Sequence, residues 1–380
     1  MPVRIGVVGG GVIGLSCAWV LARAGHDVVL IAPDAGLTGG RPGGASWVAA
    51  GMLAPVTEAQ FGEAPLTTLL LEGAARWKEF ATTLEAATGH DIGFDQSGTV
   101  TVALTPSDRA VLDDLLRFQQ DIGCTVHRRT ASECRALVPS LAPGISGGLE
   151  VPGDHQVDNR ALLGALAAGC AAAGVEFVVD TVAGVAAVAA GPELSLFGGS
   201  RIRCDVAVLA AGIGTPGLSG LGGAELPEIR PVKGHIMRLG PTPARGSARF
   251  LDRTVRGLVH GRSVYLVPRQ DGTVVVGATV EERGLDTTVQ AGAIHQLLSD
   301  ARAIIPAIDE LELLETAAGL RPATPDNTPC IGWTKLPGVA VASGHFRNGI
   351  LLAPLTAAAM VALLEGGTGR GVFGGEGTGA

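Results

Sequence analysis

Charge, sulfur chemistry and aromatic rings are all in short supply in this sequence of 380 residues. Charged residues make up 17%, and no run of Lys or Arg offsets a formal net charge of -8. An acidic chain without a basic stripe has no footing on nucleic acid or on an anionic membrane, so neither is expected as a partner. The six cysteines, Cys17, Cys124, Cys134, Cys170, Cys204 and Cys330, show no CxxC pair and no metal-ligand spacing. That excludes a zinc site and a disulfide framework, and the thiols read as reduced, mostly structural groups of a cytoplasmic protein. No uncharged stretch reaches the ~20 apolar residues of a membrane span. The apolar run from Ile5 to Val12 is glycine-rich and lacks the flank of a signal peptide. Aromatic residues are 4%, with one tyrosine, Tyr265.

What the chain does have is core-forming material and glycine. Hydrophobic residues are 47%, and 57 glycines and 22 prolines are spread along the whole length. This fits a loop-rich α/β protein with enough chain for two domains. Arg4 to Val8 reads as a strand, Gly9-Gly10-Gly11-Val12-Ile13-Gly14 follows at once, Leu15 to Ala24 reads as a helix stopped by Gly25, and His26 to Ile31 reads as a second strand. Strand, GxGxxG, helix, strand is the setting in which the motif signals dinucleotide binding. Gly9 permits the tight turn, Gly11 lets the backbone approach a pyrophosphate, and Gly14 lets helix and strand pack closely. The helix N-terminus offers unpaired N–H groups to the phosphates. The second strand ends at Ala32 and Pro33 rather than at the acid that binds the ribose, so either Asp34 or backbone groups and water must take that role.

Helical periodicity follows at 66–87, 107–122, 159–173 and 287–305, and strands at Val175–Val179, Thr181–Val188 and Cys204–Gly212. Residues 232–280 alternate, with Gln270-Asp271-Gly272 as a hairpin turn, which predicts an antiparallel sheet. The expected fold class is mixed α/β: a discontinuous Rossmann-type nucleotide domain (1–90, 150–228 and 318–365), an inserted antiparallel-sheet substrate domain (91–149 and 229–317) and a flexible tail (366–380).

Four segments together resemble a known family: the glycine-rich start, Ala45 to Pro55 (ASWVAAGMLAP), Gly319 to Gly332 (GLRPATPDNTPCIG) and Gly344 to Pro354 (GHFRNGILLAP). They resemble the glycine oxidases of thiamine biosynthesis, within the D-amino-acid oxidase superfamily; Gly-Leu-Arg-Pro is shared with D-amino-acid and sarcosine oxidases. The resemblance implies FAD as cofactor and oxidation of a small amino acid. It places Ala45, Ser46, Ala50, Gly51 and Met52 along the flavin ring, and Val182 at the adenine. It places His345, Phe346, Arg347, Asn348, Gly349, Ile350 and Leu351 at the pyrimidine side, ahead of a helix whose N-terminus would stabilise negative charge there. It assigns Arg321 to the substrate carboxylate, where a permanently charged, bidentate donor is needed, with Tyr265 as a second contact and Arg347 as an orienting group. The structural alternative for Arg321 is a pairing with Asp326 or a carbonyl. Ser263 and Val280 depart from the family pattern and bear on the exact substrate, whereas His235 and His260 read as satisfied strand or turn histidines.

The implied chemistry is hydride transfer from the substrate Cα–H to the flavin, with oxygen as acceptor, hydrogen peroxide and an imine as products, and no assigned general base. Sarcosine, D-amino-acid or proline oxidation, a quinone acceptor, an NAD-dependent dehydrogenase and a flavin-bearing binding protein are the competing readings. A homo-oligomer is compatible with the family.

Overall fold

The computed structural model describes residues 2–33, 43–222, 224, 226, 228–242 and 249–366. Two large sheets organise these residues. The first has six strands, in the spatial order Cys330–Trp333, Val339–Ser343, Val206–Leu209, Arg4–Val8, Asp27–Ala32, Glu176–Val179, parallel except for the pairing of Cys330–Trp333 with Val339–Ser343. Its central strands are buried on both faces, as parallel strands require. Ile5, Val7, Val28 and Leu30 join a core formed with the helices, while Val8, Val29, Ile31 and Leu209 join a second core on the opposite face. The helices are Val12–Arg23, Ala64–Thr88, Asn159–Ala172 and Gly349–Leu364. The opposite face carries a three-stranded meander, Val182–Val188, Gly191–Leu196 and Arg201–Arg203, of which the strand expected at Thr181–Val188 is the first.

The second sheet has eight strands, in the order Glu312–Ala323, Arg230–Gly240, Val274–Gly277, Arg262–Pro268, Thr254–Val259, Thr99–Ala103, Gly147–Val151, His127–Arg129. It is antiparallel as expected at 232–280, and the turn at Gly272, with φ +86, closes the expected hairpin. One pairing departs from the expectation: Thr254–Val259 runs parallel to Thr99–Ala103. These two strands are far apart in the chain, so no tight turn forces them to run oppositely. Strands of this sheet also run past the expected domain limits at 150 and 318, because Gly319–Ala323 stay hydrogen-bonded to Arg230–Gly234.

The expected helices at 66–87, 107–122 and 159–173 are found within two residues of those limits. The helix expected at 287–305 spans Ala291–Ile304. The residues before it are held instead by the buried Lys233, whose ammonium donates to Asp286, the Thr288 carbonyl and Gln290. All six cysteines are free, and Cys330 alone is not fully buried. Among the described residues no helix is long and apolar enough to cross a membrane. The expected tail beyond residue 366 and the alternative Asp34 lie outside the described residues.

Candidate active site

The glycine motif does the work expected of it at its two outer positions. Gly9 has φ +114, its N–H donates to the Ile31 carbonyl at 2.9 Å, and a Cβ there would stand 2.5 Å from the Ala210 carbonyl oxygen. A Cβ at Gly14 would run into the Gly9 carbonyl, so the helix Val12–Arg23 rests directly on the turn. At Gly11 the only near atom is Ser46 Oγ, at 3.3 Å, and the same hydroxyl accepts from the Val12 N–H at 3.0 Å. The N-cap Gly11 has no side chain to cap this helix and its first turn holds no acid, so beyond the Val12 N–H taken by Ser46 the end is open to an anion.

That N-terminus opens on a cavity of about 880 Å³. Every site residue named from the sequence lines it except Gly14, whose part is structural. Gly9, Gly11, Val12 and Ile13 are there with Ala32, Pro33 and Val182; so are Ala45, Ser46, Ala50, Gly51 and Met52, and the whole run His345–Leu351.

The segment 45–52 is held from beneath by buried side chains that the sequence reading did not single out. Asn159 donates to the Ser46 and Trp47 carbonyls at 2.8 and 2.9 Å, and Arg269 donates to the Ala50 carbonyl at 2.7 Å. Gly51 has φ +75 and has no room for a Cβ, which would meet the Val157 carbonyl. On the other side, the Phe346 N–H donates to the Pro322 carbonyl at 2.7 Å, and His345 Nε2 sits 2.9 Å from the Thr356 hydroxyl. Burial pushes His345 down to about 3, so its ring is neutral. The helix starts at Gly349, with Asn348 at its N-cap, as expected.

The polar corner is built on the second sheet. Arg256, Tyr265, Gly277, Ile236 and Ala317 are successive cross-strand partners, so they share one face. The Tyr265 ring lies over Gly277, where a Cβ would be 2.5 Å from its Cζ. Arg321 lies over Gly234 in the same way. Its Nη1 donates to the Thr279 carbonyl at 3.2 Å and more weakly to the Lys233 carbonyl at 3.4 Å, and the Tyr265 hydroxyl is a further hydrogen-bonding neighbour. Asp326 is not its partner; that carboxylate accepts from the Thr324 hydroxyl and the Thr328 N–H. Burial lowers Arg321 from its ordinary range, though a guanidinium keeps its proton in proteins, and raises Tyr265, which favours the neutral phenol.

Two functional candidates escaped the sequence reading, Glu58 and Arg256. Arg256 bonds Glu58 Oε1 and, at 3.2 Å, the Thr57 hydroxyl, while Arg347 Nε lies 3.2 Å from Glu58 Oε2. Burial opposes the charge on Glu58, but Arg256 and Arg347 outweigh it and hold the carboxyl below its usual range. The signal for Arg256 was present: counting back from the turn at His260-Gly261 pairs it with Tyr265. Ser263 and Val280 line the cavity. His235 is satisfied by Thr279 Oγ1 at 2.8 Å and by the Thr288 carbonyl, and His260 is a turn residue with φ +49 whose N–H donates to Asp108.

A family model for FAD-dependent oxidoreductases matches residues 4–363, and the chain belongs to that family. Among curated relatives it is 33% identical over 368 residues to a glycine oxidase of Geobacillus kaustophilus, covering 95% of this chain and 92% of that one. It is 31% identical over 363 residues to a bifunctional ThiO/ThiG protein of Nostoc, covering 94% of this chain and 52% of that protein. The crystal structure of glycine oxidase from Geobacillus kaustophilus superposes with a TM-score of 0.86 at 31% identity, over 96% of this chain and 95% of that one. The cavity fits FAD: a helix N-terminus at Gly11 with no acid in its first turn for a diphosphate, and a long lining of small residues and backbone at 45–52 and 345–351 for the rings.

Proposed function

We propose that this chain oxidatively deaminates glycine to the imine, which hydrolyses to glyoxylate, with hydrogen peroxide formed at the expense of oxygen, and that the imine or glyoxylate supplies thiamine thiazole synthesis. Small N-methylated or D-amino acids fall within the same reading. The observation that carries it is Arg321: a half-buried cation with no carboxylate partner among the described residues, opening beside the only tyrosine into the cavity that begins at the dinucleotide turn.

Bound FAD would supply the acceptor for the hydride of the substrate Cα–H. The protein's part is position and charge. Arg321 and Tyr265 hold the carboxylate; Gly277 and Gly234 leave the space in which those two side chains lie flat against the sheet. Ser46, Val12 and Gly11 would hold the diphosphate, Ala32, Pro33 and Val182 the adenosine end, and Ala50–Met52 with His345–Leu351 the isoalloxazine. Held in one orientation, substrate and cofactor are spared several kcal/mol of ordering at the barrier. His345 is neutral and bonded to Thr356, and both oxygens of Glu58 face arginines, so neither is placed to remove a proton. Hydride transfer from a neutral amine needs no such base. We further assign the discontinuous segments around the six-stranded sheet to a cofactor domain and the eight-stranded sheet to a substrate domain, in a cytoplasmic enzyme.

The test is the absorption spectrum of the purified holoprotein before and after anaerobic glycine. Flavin bands that bleach with glycine support the reading. Bands that survive glycine but bleach with sarcosine, D-alanine or D-proline overturn the substrate and keep the reaction type; a colourless protein that FAD does not reconstitute ends the proposal.

A further inference from the structure

The polar corner holds more guanidinium donors than the protein's own acceptors and a single substrate carboxylate use. Arg256, Arg321 and Arg347 line it with one acid, Glu58, and Asp154 acts on Arg256 from behind Thr57. With glycine on Arg321, the donors of the other two arginines are still not used up. The spare donors are also directed. Glu58 is 8% exposed and braces two arginines at once, Oε1 on Arg256 and Oε2 beside Arg347 Nε. The brace is incomplete, since Glu58 Oε2 and Arg347 Nε are buried without a hydrogen bond. The protein bonds of Arg256 all leave from Nη1, and Arg347 makes no hydrogen bond within the described chain, only its approach to Glu58 and a stack over Phe346 at 5.1 Å. The outer N–H groups of both guanidinium groups therefore remain for a ligand. Arg256 stands directly across the strand pair from Tyr265, and Arg321 lies on the other side of that ring, over Gly234. The corner is a two-anion arrangement with Tyr265 between the poles.

We propose that the preferred substrates are small amino acids or N-alkylglycines bearing a second carboxylate, with Arg321 and Tyr265 taking the carboxylate next to the oxidised carbon and the Arg256–Arg347 pair, braced by Glu58, taking the other. This rests on the carboxylate clamp of the proposed function and names its substrate class.

The test begins with binding to the wild-type holoprotein, by calorimetry, of two ethers that cannot be oxidised as amines: diglycolate, with two carboxylates, and methoxyacetate, with one. Each charge-assisted bond gained is worth on the order of tenfold in affinity, so diglycolate should bind at least about tenfold more tightly. Equal or weaker binding overturns the inference. In Arg256→Gln the preference should fall towards unity; a preference that persists removes Arg256 from the site. Anaerobic bleaching by iminodiacetate should likewise outrun that by sarcosine at equal low concentration. If glycine or sarcosine bleaches the flavin while the second carboxylate gains nothing in either assay, this inference fails and the clamp stands. If neither ether binds and no amine bleaches the flavin, the clamp itself is wrong.

Discussion

Replacing Gly234 with alanine tests the carboxylate clamp without touching a charged group. The new methyl would stand 2.5 Å from Arg321 Cζ and nearer still to both terminal nitrogens, and ordinary contact begins at 3.4 Å. The guanidinium must therefore move by about 1 Å. It is the far end of a flexible side chain, and Gly234 has no left-handed φ, so the strand Arg230–Gly240 keeps its register and the cost falls on the site. A displacement of about 1 Å at a positioning group costs on the order of 100-fold in rate. A lost charge-assisted hydrogen bond of about 1.5–3 kcal/mol gives a factor of about 10–100. G234A should thus lower kcat/KM for glycine by about 10–100-fold, mostly through KM, while thermal unfolding shifts by only a few degrees. Arg321→Met should show a loss of the same kind, and the double variant should be no worse than Arg321→Met alone, because both remove one interaction. A wild-type KM in G234A, or losses that simply multiply in the double variant, would refute the placement of Arg321 on the carboxylate. Gly277→Ala, which pushes on the Tyr265 ring in the same way, should give a smaller loss, about tenfold.

Other consequences can be checked in parallel. Asn159→Ala frees the Ser46 and Trp47 carbonyls and strips Arg238 and Arg269 of an acceptor, so it should destabilise the fold by about 2–4 kcal/mol in urea unfolding and weaken FAD retention. Burial pushes Asp154 from 3.8 up to about 6, although Val56 and Thr57 donate to it. The folded state then binds this proton more tightly than the unfolded one, so its share of stability is complete below about pH 4 and lost as pH rises to about 6. Urea midpoints of Asp154→Asn should lack that fall between about pH 4 and 6, from a lower starting stability because an amide cannot accept from all three donors. Burial raises Cys17 and Cys170 to about 12 and Cys134, Cys204 and Cys330 to about 11. Iodoacetamide at neutral pH should therefore leave the native protein almost unlabelled, with Cys330 first to react, and modify all six thiols in urea.

The nucleotide half was legible because its signals are local. In Arg4–Ile31 the strand, the glycine turn and the helix are consecutive, so the reason for each glycine can be read from its neighbours in the chain. The long amphipathic helices, such as Ala64–Thr88, announced themselves by period for the same reason. The eight-stranded sheet was harder. Its alternation at 232–280 was visible, but the partnership of Thr254–Val259 with Thr99–Ala103 spans some 150 residues, and no periodicity within either strand encodes it. The meander Val182–Arg203 was also only partly seen, since its second strand, Gly191–Leu196, is mostly buried and shows no clean alternation, and its third, Arg201–Arg203, is three mostly exposed residues.

The site shows where local reading stops. Arg321 and Tyr265 could be singled out by type and resemblance, yet what makes them usable is a pair of absences on other strands, the missing side chains of Gly234 and Gly277. Those glycines look like ordinary strand interruptions in sequence; only the register, which sets Tyr265 opposite Gly277 and Gly234 opposite Gly319, gives them a purpose. Arg256 and Glu58 were missed for the complementary reason. Neither has its partner nearby in the sequence, and either alone would be an expensive thing to bury. Their meaning lies in the contact between a strand of the second sheet and the loop after Met52. The arrangement of charge in the cavity is therefore a property of how the two sheets face each other rather than of any one motif.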